Sequence, residues 1–224
     1  MTRPVLICRP QPGADATAAR ARKLGMEALV CPLFAVEPLD WSTPAPASFD
    51  ALMLTSANAL RHGGEGLSRY HALPMFAVGA ATARAAMDAG FTDVVEAGPD
   101  APATLERIAR AGHRHILHLG GEHFRAAERE GLTITRRAVY RSAATGTADA
   151  LTPMLERSPV LLVHSPRAGA RIAALIPEAR RADIALIAIS AAARDAAGTG
   201  WAQAIAASAP QDDVMLALAR PLCL

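Results

Sequence analysis

Cysteine is scarce in this 224-residue sequence. Cys8, Cys31 and Cys223 are scattered, odd in number, and form no CxxC pair. They support neither a disulfide framework nor a zinc site. Aromatic residues make up 4% of the chain and no basic stripe is interleaved with them, so the sequence does not read as a nucleic-acid binder. No apolar run reaches membrane-spanning length. The opening "VLICRP" is too short for a secretory core and lacks a small-residue cleavage site. A soluble, cytoplasmic chain without membrane association is expected. The phosphate-cradling patterns GxGxxG and GxxxxGK[ST] are absent, as are the GxSxG elbow and carboxylates paired at hydrolase spacing. No nucleotide cofactor is indicated. Lysine is nearly missing as well: Lys23 stands alone among 23 basic residues, and the net charge is only +2. The arginines fit the codon usage of a GC-rich genome, and they equally suit carboxylate and phosphate recognition.

What the sequence does have is a repeat. "PVLICRP", a helical stretch and "GMEALVCPLFAVEPL" (4–39) return about 110 residues later as "HILHLGG", a helical stretch and "GLTITRRAVYRSA" (115–143). "FDALMLTSANAL" answers to "SPVLLVHSPRAG", placing Ser56 over Ser165. "MFAVGAATARAAMDAGF" answers to "IALIAISAAARDAAGTGW", placing Gly79 over Ser190. Two similar α/β units follow, each with a parallel sheet, because short apolar runs alternate with alanine-rich amphipathic stretches. Strands are expected at 4–8, 27–31, 50–55, 75–78, 93–96, 114–119, 132–140, 160–164 and 184–189. Helices are expected at 13–24, 57–69, 80–89, 101–111, 122–129, 147–156, 167–175, 191–198 and 211–219. The length suits one large or two modest domains. A proline-rich stretch (31–47) and "TRRAVYRSAATG" (135–146) both look like crossovers. Running side by side, they would make 38–140 an inserted lobe, with 1–37 and 141–224 forming the other. A plain division near residue 112 is the alternative.

Six strand-to-helix loops stand out: 8–15, 55–59, 78–82, 119–124, 164–168 and 189–193. In parallel sheets such loops gather at the carboxyl edge, where helix N-termini attract anionic oxygens. Ser56, Ser165, Ser190 and Asp15 are helix caps by one reading and anion contacts by the other. His113, His115, His118 and His123 cluster around one strand without an acidic or cysteine partner at ligand spacing, so no metal is expected. His164 touches a ligand or packs in the core. The residues alone describe a two-lobed α/β protein with a cleft suited to polyanions and little catalytic apparatus.

At these loops the chain resembles the uroporphyrinogen-III synthase family. The resemblance runs in order through "LICRP", "FDALMLTSANAL", "FAVGAATARAAMDAG", "GLTITRRAVYR", "VLLVHSPRAG" and "IALIAISAAARDAAG". It implies two α/β lobes joined by a two-stranded ladder, with the chain crossing between them twice. It implies a lyase that cyclises hydroxymethylbilane, a linear tetrapyrrole bearing eight carboxylates, to uroporphyrinogen III. Water is lost and the last ring is inverted, by way of a spiro intermediate. No cofactor or metal takes part. A monomer is implied, receiving its substrate from hydroxymethylbilane synthase. By position, Tyr140 matches the tyrosine that assists departure of the hydroxyl; otherwise it is an ordinary strand tyrosine. Thr82 matches a polar position facing the cleft. Thr55, Ser56, Asn58, Ser165 and Ser190 fall on the cleft loops as expected substrate contacts. Arg9 and Arg167 are expected carboxylate contacts, Arg167 being otherwise a solvated helix residue. Cys8, His164 and Ala192 or Ala193 depart from the family's usual residues. The alternative function is a non-catalytic two-lobed domain that binds a small polyanion.

Overall fold

A computed structural model describes residues 2–124 and 126–223. The chain opens with β1 (Val5–Ile7), α1 (Gly13–Lys23) and β2 (Ala28–Val30). It leaves this group through β3 (Phe34–Pro38). Next come β4 (Ala51–Leu54), α2 (Asn58–His62), β5 (Met75–Val78), α3 (Gly79–Asp88), β6 (Val94–Gly98), α4 (Ala101–Arg110) and β7 (His115–Gly121). It returns through β8 (Thr133–Ala144). The remainder is α5 (Ala148–Leu155), β9 (Val160–Val163), α6 (Pro166–Leu175), β10 (Ala185–Ala188), α7 (Ala191–Ala196), β11 (Gln203–Ala206) and α8 (Asp212–Cys223). Two compact units result. Unit 1 is Met1–Ala35 with Ala143–Leu224, and unit 2 is Val36–Ser142.

Among the described residues, unit 1 carries the strand order β11-β10-β9-β1-β2 and unit 2 the order β3-β8-β7-β4-β5-β6. Read from the opposite end, the second order repeats the first, with β7 in the place of β1, β8 in that of β2, and β3 added at the edge. The strands run parallel, as in the pairs Val5↔Val160 and Leu52↔Leu117, except that β3 lies antiparallel to β8, with Leu39 N donating to the Val139 carbonyl and Thr145 N to that of Leu33. "ALML", "VLLV" and "ALIA" are buried throughout because each lies inside a sheet covered on both faces. In unit 1, α5, α6 and α7 cover one face through Leu151, Ile172 and Ala193. The small side chains of α1, Ala14, Ala18 and Ala21, pack the other face beside Met215 and Leu216 of α8.

Four expectations need correction. The helix expected at 57–69 stops at His62, and after Gly63 and Gly64 a 3-10 helix (Glu65–Tyr70) takes its place. The helix expected at 122–129 does not form; Arg125 lies outside the described residues, and its neighbours follow an irregular path. The stretch has no Ser, Thr, Asp or Asn cap, and it places Glu128 and Glu130 where a helix would carry its negative end. Two strands were not anticipated. β3 hides in the proline-rich crossover, tolerated because it is an edge strand ending at Pro38. β11, "QAIA", is an edge strand too short and too small to show a pattern.

The carboxyl edge of unit 1 is tied by one acidic side chain. Asp212, 8% exposed at the start of α8, accepts from Arg9 Nη1 at 2.9 Å and from Arg20 Nη1 at 3.0 Å. It also accepts from the Thr17 hydroxyl. His164 Nε2 lies 3.4 Å from Asp212 Oδ1, a charge contact only, since neither buried ring nitrogen has a hydrogen-bond partner. Burial alone would raise the Asp212 carboxyl. The contacts with His164 and Thr17 and the charge of Arg9 outweigh it and hold the group below the usual carboxylate range. A further cation, Arg181, is buried and donates to the carbonyls of Ala173, Ile176 and Thr199.

Asp212→Asn should therefore destabilise unit 1 by about 1.5–3 kcal/mol at pH 7, the range for hydrogen bonds to charged groups. The depressed carboxyl contributes stability that is complete above the unfolded value near pH 4 and is lost as pH falls towards the folded value. Urea unfolding of both proteins should show the gap narrowing from pH 7 to pH 3; a gap that widens contradicts this account.

Candidate active site

In unit 2 the strand-end loops gather at one edge because the strands are parallel. β4 ends at Leu54, and Thr55 and Ser56 follow. Ser56 Oγ accepts from the Asn58 amide at 3.2 Å, and Asn58 Oδ1 accepts from Arg61 Nη1 at 3.0 Å. These bonds turn the chain into α2. Thr55 points its hydroxyl at β7, where Oγ1 sits 3.5 Å from His118 Nε2. Thr82 lies in the first turns of α3 and is only 5% exposed, which leaves it little surface for a ligand.

Parallel pairing sets His118 opposite Arg136 and Gly120 opposite Ala138. The register then slips, so that Gly121 faces Tyr140 and Val139 becomes the extra residue. Gly121 has no side chain, and this is what leaves room for Tyr140. A Cβ there would come within 2.8 Å of ring atom Cε2 and 3.1 Å of the phenol oxygen. The His62 ring lies 6.3 Å from the Tyr140 ring, tilted by 44°. Burial, with the charge of Arg61, lowers the His62 imidazole below its ordinary value.

His118 is 8% exposed, and burial with the Arg136 charge beside it pushes its imidazole down to about 4. Arg136 Nη1 stands 3.2 Å from His118 Nδ1, and Nη2 donates to the Gly121 carbonyl at 2.8 Å. The guanidinium carbon sits 3.2 Å from the centre of the Phe124 ring. Burial lowers the Arg136 pKa, and the nearby Tyr140 phenol works against that. A pocket of about 260 Å³, lined by Met53, Leu105, Ile134, Phe124, His118 and Arg136 among others, opens where the expected helix is missing.

Unit 1 holds the other candidates. Arg9 is engaged with Asp212, as described. Ser165 caps α6 by accepting from the Ala168 amide at 3.1 Å, and Ser190 caps α7 by accepting from Ala193 at 3.3 Å. Each hydroxyl still has a proton to donate. Arg167 is exposed, with its guanidinium carbon 4.5 Å over the Phe34 ring. Asp15 exchanges hydrogen bonds with Gln11 rather than capping α1. His164 is a packed histidine.

The structure thus joins Thr55 to His118 and Arg136, pairs Ser56 with Asn58 in one turn, and sets Tyr140 against Gly121. Sequence reading missed His118, Arg136 and Asp212 as partners in these networks. The signals available were the glycine pair in "HILHLGG", where the repeat has "RP", and the alternation of "ITRRAVYR". Among the described residues, no group of three or more His, Cys, Asp or Glu side chains is placed to hold a metal ion, and no helix is long and apolar enough to cross a membrane.

The fold is that of known structures. A uroporphyrinogen-III synthetase from Helicobacter pylori superposes with a TM-score of 0.71 at 15% identity, covering 99% of this chain and 100% of that one. A mutant uroporphyrinogen III synthase from Thermus thermophilus superposes with a TM-score of 0.50 at 16% identity, covering 98% of each chain. No curated protein matches the sequence. The family model described as HEM4, uroporphyrinogen-III synthase HemD, matches residues 15–217, and the chain belongs to that family.

Proposed function

We propose that this enzyme performs its family's cyclisation with Tyr140 as the group that assists loss of water, at the carboxyl edge of the unit 2 sheet. The reaction closes linear hydroxymethylbilane to uroporphyrinogen III with inversion of the last ring. The terminal hydroxyl departs as water and takes one proton. The substrate's own pyrrole supplies the electrons and stabilises the cation that remains. A phenol hydroxyl can donate that proton or a hydrogen bond. The observation that carries the assignment is the opening left by Gly121, which seats the Tyr140 ring at the end of the ladder where the register slips. The remaining task is to hold a conformation, since the unassisted substrate closes without inversion.

Thr55, Ser56 and Asn58 in unit 2 are the proposed contacts for substrate carboxylates on that side. The capped starts of α6 and α7, at Ser165 and Ser190, with the exposed Arg167, are the proposed contacts in unit 1. Arg9 serves the same end only if it leaves Asp212. Thr82 needs α3 to shift before it can touch a ligand. A cytoplasmic monomer that takes its substrate from a hydroxymethylbilane synthase completes the reading. The non-catalytic alternative finds no support in a chain matched by an enzyme family over most of its length.

Coupled to a source of hydroxymethylbilane, the purified protein should yield the inverted type III isomer, resolved by chromatography; type I alone would end the proposal. Tyr140→Phe should lower kcat on the order of a hundredfold, the scale of a lost general acid, with KM little changed. A wild-type kcat would remove Tyr140 from the mechanism. Gly121→Ala should reproduce the kcat loss by displacing the ring.

A further inference from the structure

Arg136 is held from several sides. Its Nη2 donates to the Gly121 carbonyl, Phe124 covers its face, and Nη1 reaches His118 Nδ1. A guanidinium has donors and no acceptor. His118 Nδ1 must therefore accept, and the neutral ring carries its proton on Nε2. That proton faces Thr55 Oγ1. Gly120 leaves the space for this arrangement: a Cβ there would press to 3.2 Å from Arg136 Nη2 and 3.3 Å from His118 Nε2. Placing an imidazole and a guanidinium on a face otherwise built from Met53, Ile116 and Leu105 is costly, and apolar side chains would pack there without that cost. Once Oγ1 accepts from His118, the Thr55 hydroxyl proton is free to point past the end of β4.

We propose that Arg136 and His118 are positioning residues for the cyclisation: Arg136 fixes the Nε2–H tautomer of His118, and His118 orients the Thr55 hydroxyl to donate to a substrate carboxylate. The proposal rests on the reading of Thr55 as a substrate contact. It adds a chain of control that runs from β8 through β7 to β4, all within unit 2. Neither residue touches the reacting atoms, so the loss should appear in KM, with kcat nearly constant.

The test uses the full-length enzyme. Thr55→Val and His118→Met should each raise KM about tenfold, the worth of one hydrogen bond to a charged group. The double variant should be no worse than either single one. His118→Gln puts an amide N–H near the position of Nε2 and should restore most of the affinity. In the nitrogen NMR spectrum of histidine-labelled protein, His118 should show the pure Nε2–H tautomer, and Arg136→Met should convert it to a mixture. The tautomer readout does not depend on activity. Additive effects of the two KM variants, no rescue by glutamine, or a tautomer indifferent to Arg136 would each overturn the proposal. A wild-type KM for Thr55→Val removes the substrate-contact reading and the proposal with it. An impaired Thr55→Val beside a normal His118→Met removes the proposal alone.

Discussion

Parallel strands impose the constraint on which the rest of this protein depends. A strand that must be followed by another running the same way needs a crossover, and a sheet made only of such strands needs cover on both faces. The buried runs of β4, β9 and β10 meet the second demand and the alanine-lined helices meet the first. One consequence is geometric. Strand ends and helix starts collect at a single edge of each sheet, and the chemistry-bearing residues Thr55, His118, Ser165 and Asp212 all stand at or near such an edge. Apolar packing fixes the backbone, and the polar groups occupy what the backbone leaves over.

The two units share a strand order but finish their edges differently. In unit 1, α1 packs against the sheet beside α8, and its Thr17 and Arg20 reach Asp212. Among the described residues, unit 2 has no helix in the corresponding place. The irregular stretch after Gly121 contributes Phe124 to Arg136 and leaves a small pocket beside His118. A duplicated framework has thus been spent on structure in one copy and left open in the other. The open copy is also the one with the glycine pair and the slipped register that seat Tyr140.

Much of this was legible in the sequence. The repeat foretold matching strand orders, since "HILHLGG" does occupy the position of "PVLICRP" and β8 that of β2. Central strands were readable because burial on both faces demands unbroken apolar runs. Edge strands were not: β3 and β11 bury little, so neither run length nor alternation marks them. The 122–129 stretch misled because its partner in the repeat is helical, and the repeat carried more weight than the missing cap and unfavourable charges. At the site, the resemblance supplied Tyr140 and Thr55, and the serine caps were readable from helix-start chemistry. Arg136 and His118 were not, because a register pair depends on how two strands slide, and single residues do not show that. His118 was weighed with its neighbouring histidines only as a metal site and set aside, although its decisive partner lies on the next strand.

The division of the chain between the units has a temporal side. Unit 2 is one continuous segment, so a nascent chain can complete it while synthesis continues. Unit 1 has no such freedom. Its β1 lies at the interior of the sheet, yet one of its two neighbours is β9, and Val5 must wait for Val160. The carboxylate that ties Arg9 and Thr17 arrives later still, with α8. Until β9 is made, β1 has an unpaired edge, so the sister unit matures while the discontinuous one stays unfinished and exposed to misassociation.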